Sequence, residues 1–157
     1  MKKEYKEKLK LAAKYLAGDD SLSVEDNRKF FWRGHKMMEE LLLTKDEEVL
    51  CGLFDLFTEG NENGVCETLE NGIYHNFDFN QILNALYQKF DSLIANNVDR
   101  AVYFSESILS AKLLEGFRKM FNAVKAKKSS EFLDRFYKYY PELEENILIL
   151  RKDMAKW

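Results

Sequence analysis

Residues 82–94 read ILNALYQKFDSLI and hold the widest apolar stripe of the chain. The apolar side chains recur at spacings of three and four residues, which places them on one face of an α-helix. The pair Asn96-Asn97 follows as a stop signal. This stretch therefore predicts a long amphipathic helix. Its apolar positions are Ile82, Leu83, Leu86, Tyr87, Phe90, Leu93 and Ile94.

The same spacing extends in both directions from this stretch, and strict alternation of apolar and polar residues is scarce. Cap residues and stop signals set the expected boundaries. Before the stripe we expect four helices. The first covers residues 3–17 and stops at Gly18, and the second begins after the N-cap Ser23. The third runs from the N-cap Asp46 to Gly60, and the fourth covers residues 65–75. After the stripe we expect two helices over residues 98–109 and 113–124. A further helix should begin after the N-cap Ser129 and end before Pro141, and the last helix should have Pro141 as its first residue.

The pattern predicts an all-α protein of eight or nine helices. A chain of 157 residues suits one core, so we expect a single domain over residues 1–157. Only seven glycines and one proline are present, which disfavours a many-stranded fold. Short loops favour stacked antiparallel helical hairpins, either HEAT-like or as an irregular helical bundle. No repeat of fixed period distinguishes these two arrangements.

The chain has no features of a secreted or membrane protein. Cys51 and Cys66 form no CxxC pair, so we expect buried thiols rather than a disulfide framework. The first apolar positions are interrupted by Lys10, Lys14 and Tyr15, which argues against a signal peptide. No apolar run approaches the roughly 20 residues of a membrane span. We therefore expect a cytoplasmic protein with no membrane partner.

Residues 64–79, GVCETLENGIYHNFDF, resemble a chemical site more than any other part of the chain. On a helical wheel, however, Cys66 falls with the apolar face and His75 on the opposite side, so the two cannot meet within one helix. The only other imidazole is His35, and no HExxH motif is present. Nucleotide-binding and nucleophile-elbow motifs are absent as well. We therefore expect no enzyme activity, no catalytic residue, no metal and no cofactor. The alternatives are a zinc site assembled from side chains of different helices and an active site that no known sequence motif marks.

Charge is the unusual property of this region. Residues 46–78, the acidic segment, hold nine acidic side chains and no lysine or arginine. The rest of the chain has 24 basic and 18 acidic residues, so the net charge of −3 combines −9 in the segment with +6 elsewhere. Solvated helical faces usually mix the two signs, so this separation indicates a binding partner, although an acidic face kept for solubility is the alternative.

Helical wheels of the third and fourth helices place acidic stripes away from the apolar positions. If the two helices pair as a hairpin, the stripes form one surface, with Tyr74 and Phe77 as candidate aromatic anchors. The predicted partner-binding residues are Glu48, Asp55, Glu59, Glu67, Glu70, Tyr74 and Asp78.

Two stretches suggest a family: residues 64–90, GVCETLENGIYHNFDFNQILNALYQKF, and residues 105–125, SESILSAKLLEGFRKMFNAVK. Over about residues 46–140 the chain resembles the helical immunity proteins of bacterial polymorphic-toxin and contact-dependent growth inhibition systems. The resemblance implies an all-α, non-enzymatic cytoplasmic protein that binds and blocks one cognate toxin domain. Many such toxins are nucleases, whose grooves must be positive to hold a phosphate backbone.

Other partners remain open. A helical adaptor or regulatory module without a toxin partner needs the same kind of surface. A nucleic-acid binder would use the basic stretch of Arg118, Lys119, Lys125, Lys127 and Lys128. The sequence pI near 5.5 opposes phosphate binding, so we expect no nucleic-acid partner.

The aromatic run at residues 30–32, FFW, spans most of a helix's circumference, so at least one ring points away from the core or lies under another element.

Overall fold

The computed structural model describes residues 1–58 and 64–157, and this part of the chain is helical without strands. Within residues 1–58 and 64–157 nine α-helices follow one another, with one 3-10 turn over Pro141–Leu143 before the last. Their bounds are α1 Lys3–Ala17, α2 Val24–Leu42, α3 Glu47–Phe54, α4 Val65–Asn76, α5 Phe79–Asn96, α6 Val98–Ser110, α7 Leu114–Val124, α8 Ser129–Tyr139 and α9 Glu144–Met154. The predicted all-α class and the helix count are confirmed for the described residues.

Most of the predicted caps are observed. The first helix ends at Ala17, and Gly18 follows with a φ of 74°, a value that glycine adopts at little cost. The Ser23 hydroxyl accepts a hydrogen bond from the Asp26 backbone N–H. The Asp46 carboxylate accepts from the N–H groups of Glu48 and Val49 at 2.9 and 3.2 Å. These bonds satisfy donors that a helix N-terminus leaves without intrahelical partners.

Three expected boundaries need correction. The third helix ends at Phe54 and continues in tight turns to Phe57, well before Gly60, which lies outside the described residues. Ser129 is the first residue of α8 rather than its N-cap, because Lys128 holds the N-cap position and its carbonyl oxygen accepts from the Phe132 N–H. Its hydroxyl is buried and forms no hydrogen bond within the described residues. Pro141 opens the 3-10 turn rather than α9 itself.

The chain divides into two compact units, Met1–Ala85 and Leu86–Trp157, with the boundary inside α5. In the first unit α1 and α2 form a close hairpin, α3 packs on both, and α4 packs on α2. Contact of α1 with α3 and of α2 with α4 is the order expected for stacked hairpins, but α3 and α4 make little contact with each other, so the predicted α3–α4 hairpin is not observed. The predicted single domain stays a prediction.

Close helix contacts in the first unit depend on glycine. A Cβ on Gly34 of α2 would lie 3.0 Å from the Cβ of Tyr15 and 3.2 Å from the carbonyl oxygen of Ala12, both in α1. A Cβ on Gly72 of α4 would lie 2.4 Å from a Leu42 methyl of α2. The absence of a side chain at these two positions lets the helix backbones approach each other.

The second unit repeats the stacking order. Helices α6 and α7 contact each other, as do α8 and α9, while α6 also packs on α8 and α7 on α9. Phenylalanine fills the interior, where ring centroids in neighbouring elements lie 5.4 to 6.4 Å apart. Such offset and edge-to-face pairs each contribute about 1 kcal/mol beyond the burial of their area. The cluster consists of Phe90, Phe117, Phe121, Phe132 and Phe136.

Candidate partner-binding surface

Helices α3 and α4, with the first turn of α5, position the predicted binding residues in the first unit. The side chains of Glu48, Asp55, Glu67 and Asp78 are exposed, and Tyr74 is 37% exposed. Glu47, on the first turn of α3, is exposed as well. Most of the predicted acidic positions are therefore exposed, although the Glu48 carboxylate pairs with the Met1 terminal ammonium and Asp55 and Glu67 also have interaction partners within the chain. Glu59 lies outside the described residues.

The prediction that Glu70 faces solvent is wrong, since only 8% of the residue is exposed. On the wheel Glu70 lies about 40° beyond Cys66, which marks the end of the apolar arc. The buried face of α4 thus extends past its apolar residues to Glu70, and its exposed face carries Glu67 and Tyr74.

Asp78 has a structural role in addition to its predicted one. Its carboxylate accepts a hydrogen bond from the Gln81 N–H at 3.0 Å, and the Gln81 side chain accepts from the Asp78 N–H at 3.0 Å. This reciprocal pair is a capping box, which satisfies two donors at the start of α5. Replacing Asp78 would therefore disturb the helix as well as the surface charge.

The aromatic anchors differ from those expected. Phe77 is only 5% exposed and belongs to the core, whereas Phe79 is 39% exposed. Phe79 was missed, although the D-x-x-Q pattern at residues 78–81 indicates a capping box and would have placed it at the first helical position. Tyr74 and Phe79 are the exposed rings nearest in sequence to the exposed carboxylates Glu67 and Asp78.

Neither histidine joins a cluster of potential metal ligands. His75 is exposed in the last turn of α4, and His35 of α2 lies 3.6 Å from the carboxylate of Glu39. Among residues 1–58 and 64–157, no three His, Cys, Asp or Glu side chains group closely enough to hold a metal ion. Cys66 is buried on the apolar face of α4, as the wheel predicts, and Cys51 is half-buried.

The basic stretch proposed for nucleic-acid binding is partly used within the second unit. Arg118 of α7 donates two hydrogen bonds, of 2.7 and 3.0 Å, to the carboxylate of Asp153 in α9. Lys128 donates to the Ala95 carbonyl oxygen at 3.1 Å. At least two of the five cations are therefore engaged in holding helices together.

None of the helices in the described part of the chain is both long enough and apolar enough to span a membrane. No protein-family profile, curated protein or solved structure matches the chain.

Proposed function

We propose that the chain is an immunity protein, which binds a cognate bacterial toxin domain through the acidic surface of its first unit. The observation that carries the proposal is the exposure of Glu48, Asp55, Glu67 and Asp78 on a segment that contains no lysine or arginine. The likeness of residues 46–140 to helical immunity proteins supports the same partner class.

The physical chemistry of a nuclease partner suits such a surface. A nuclease holds the phosphate backbone in a groove lined with positive charge. Exposed carboxylates on rigid helices can occupy that groove in place of phosphates and accept hydrogen bonds from its arginines. Exposed Tyr74 and Phe79 add rings of the kind that contribute strongly to interface energy.

Co-expression tests this proposal directly. The chain is expressed in a bacterial host together with the toxin-like domain encoded by the adjacent gene, and both growth and co-purification are scored. We expect growth rescue and a stable complex. We expect the double variant Asp55→Lys with Glu67→Lys to weaken both, because it places two positive charges against the positive groove.

The double variant Glu142→Lys with Glu145→Lys is the matched control, since it makes the same charge change at two exposed positions of the second unit. The control should rescue growth as the unchanged chain does. Rescue that survives the double variant would remove the acidic surface from the proposal. Absence of both rescue and complex, with the chain folded by circular dichroism, would overturn the toxin partner and favour an adaptor role.

A further inference from the structure

The aromatic run at residues 30–32 leaves one ring on the surface of α2. Trp32 is 57% exposed, whereas the two phenylalanines before it are half-buried. Arg28 precedes Trp32 by about one helical turn and Lys36 follows it by one turn, so these side chains are neighbours on one face. Arg33 is exposed next to Trp32 in sequence. We call Arg28, Trp32, Arg33 and Lys36 the tryptophan–arginine patch.

A groove of about 490 Å³ lies beside Trp32, and its aromatic walls are anchored. The Trp32 ring packs edge-on against His35, with centroids 5.7 Å apart. The Phe30 ring stacks on Tyr15 of α1 at 5.0 Å. Rings that are already held in place lose little freedom when a partner covers them, so this groove suits an apolar side chain of a partner. The groove is lined by Asp26, Lys29, Phe30, Trp32 and Arg33.

The cations of the patch are not used within the described part of the chain. All four carboxylates of α2 lie 3.9 Å or less from a basic side chain. The pairs are Glu25 and Asp26 with Lys29, Glu39 with His35, and Glu40 with Lys8. In contrast, Arg28, Arg33 and Lys36 form no ion pair with a carboxylate of residues 1–58 or 64–157. The patch therefore keeps three positive charges available to a partner.

We infer that the tryptophan–arginine patch binds a short acidic peptide of a second protein, with one apolar side chain of that peptide in the groove beside Trp32. Arginine forms bidentate hydrogen bonds with carboxylates, and tryptophan and arginine are the residue types that most often dominate interface energy. From Arg28 to Lys36 the helix rises by about 12 Å, which an extended peptide of about four residues spans. Carboxylates on both sides of the apolar residue then reach cations on both sides of the indole.

A short peptide fits the patch better than nucleic acid does. A phosphate polymer extends beyond the patch and meets the net charge of −3 of the molecule as a whole. A short peptide stays near the patch, and negative charges further away are screened over a Debye length of about 8 Å at physiological salt. Exposed Asp26 and Glu39 also interrupt the positive charge along α2, whereas a bound strand needs a continuous positive groove.

The peptide contact differs from the one proposed for the toxin. The positive groove of a nuclease attracts carboxylates and repels the three cations of the patch. The first unit therefore offers two surfaces of opposite charge, and each suits a partner that the other repels.

Fluorescence anisotropy with the full chain tests the inference. The probe is a fluorescein-labelled peptide in which one phenylalanine is flanked on both sides by glutamates. We expect saturable binding that weakens as salt increases. Trp32→Ala should raise the dissociation constant about tenfold, and the double variant Arg28→Glu with Arg33→Glu should raise it at least as much. Circular dichroism checks that each variant is folded.

Two matched controls separate the patch from general effects of charge and apolar area. The double variant Lys6→Glu with Lys10→Glu makes the same charge change at exposed positions of α1. Leu43→Ala removes another exposed apolar side chain, 69% exposed at the end of α2. Both controls should bind the peptide nearly as the unchanged chain does. Equal weakening by a control and by its matched patch variant would overturn the inference.

A second peptide, with lysines in place of the glutamates, provides the decisive measurement. The Arg28→Glu, Arg33→Glu variant should bind this peptide more tightly than the unchanged chain does, because opposite charges then face each other again. The inference is wrong if the unchanged chain does not bind the glutamate peptide, or if the charge variant does not prefer the lysine peptide. Binding of a labelled single-stranded oligonucleotide that Trp32→Ala abolishes, without binding of the glutamate peptide, would assign the patch to nucleic acid instead. The assay contains no toxin, so its outcome is independent of the proposed function.

Discussion

Asp153 is the residue whose environment departs most from that of a surface carboxylate. The two hydrogen bonds from Arg118 lower its pKa from 3.8 to about 2, against the opposing effect of burial, and Asn122 contributes a third bond at 3.2 Å. Asn122 in turn accepts a hydrogen bond from the indole N–H of Trp157. Arg118 and Asn122 thus tie the carboxyl end of α9 to α7 through charge-assisted bonds.

We predict that Asp153→Asn lowers the free energy of unfolding at neutral pH by about 2 kcal/mol, because it removes charge-assisted bonds to a buried acceptor. The folded pKa lies below the unfolded one, so the carboxylate stabilises the fold above about pH 4, and this contribution is lost as the pH falls toward 2. The difference between variant and unchanged chain should therefore shrink over that window. Urea unfolding at a series of pH values measures it.

Asp91→Asn provides the control for the same chemical change at an exposed position of α5. We expect this variant to change stability by less than about 0.5 kcal/mol. Equal effects of the two substitutions would show that the Arg118–Asp153 pair does not stabilise the fold.

Two residues that the sequence offers as surface residues are buried. The helical wheel places Glu70 in the acidic stripe and Phe77 is a candidate anchor, yet only 8% and 5% of these residues are exposed. Burial at the edge of a packed face depends on which residues from other parts of the chain lie against that edge. Helical angle fixes the centre of a buried face but not its width.

At the scale of the helix pair, Gly34 controls the approach of α1 and α2. The atoms that a Cβ would meet are the Cβ of Tyr15 and a backbone oxygen of Ala12, neither of which can rotate away. We predict that Gly34→Val destabilises the chain by about 2 kcal/mol, since overpacking forces the two helices apart. Thermal and urea unfolding followed by circular dichroism would measure the loss.

Ala13→Val is the matched control, because it adds methyl groups at an exposed position of α1. Its cost should be limited to the lower helix propensity of valine, about 0.5 kcal/mol. A Gly34→Val variant as stable as the Ala13→Val variant would contradict close packing at this crossing.

Helix starts were predictable where a side chain supplies the missing hydrogen bonds. Ser23 and Asp46 cap their helices as expected, since a single oxygen within reach of the first-turn N–H groups decides the boundary. Ser129 is instead the first helical residue, because Lys128 holds the N-cap position and its carbonyl oxygen accepts from the Phe132 N–H. A serine before an apolar pattern therefore fixes a helix start only to within a residue or two.

For the molecule as a whole, the sequence predicts the all-α fold class and the separation of charge, but it does not predict the division into two compact units. Apolar periodicity is a local property, so the nine helices of the described residues agree with the expected eight or nine. The boundary between Ala85 and Leu86 falls inside α5, where periodicity continues without a break. Which helices pack together depends on contacts between distant residues, and one sequence contains little information about them.

The separation of charge over the whole chain leads to a kinetic prediction for the proposed toxin complex. Opposite charge accelerates encounter between proteins, and salt screens this effect. We expect the Asp55→Lys, Glu67→Lys double variant to associate with the toxin domain about tenfold more slowly than the unchanged chain at low salt. The two association rates should converge as salt increases, as measured by stopped-flow or surface plasmon resonance.

Tyr74→Ala should affect the other rate constant of the same complex. An exposed ring contributes to binding by contact after docking, so its loss should speed dissociation, by an equivalent of about 2 kcal/mol, and leave association nearly unchanged. Tyr139→Ala is the control, because Tyr139 is 50% exposed in the second unit. If both tyrosine variants dissociate like the unchanged chain while the charge variant associates slowly, the acidic segment guides encounter but does not form the bound interface, and the toxin contact must then lie elsewhere on the chain.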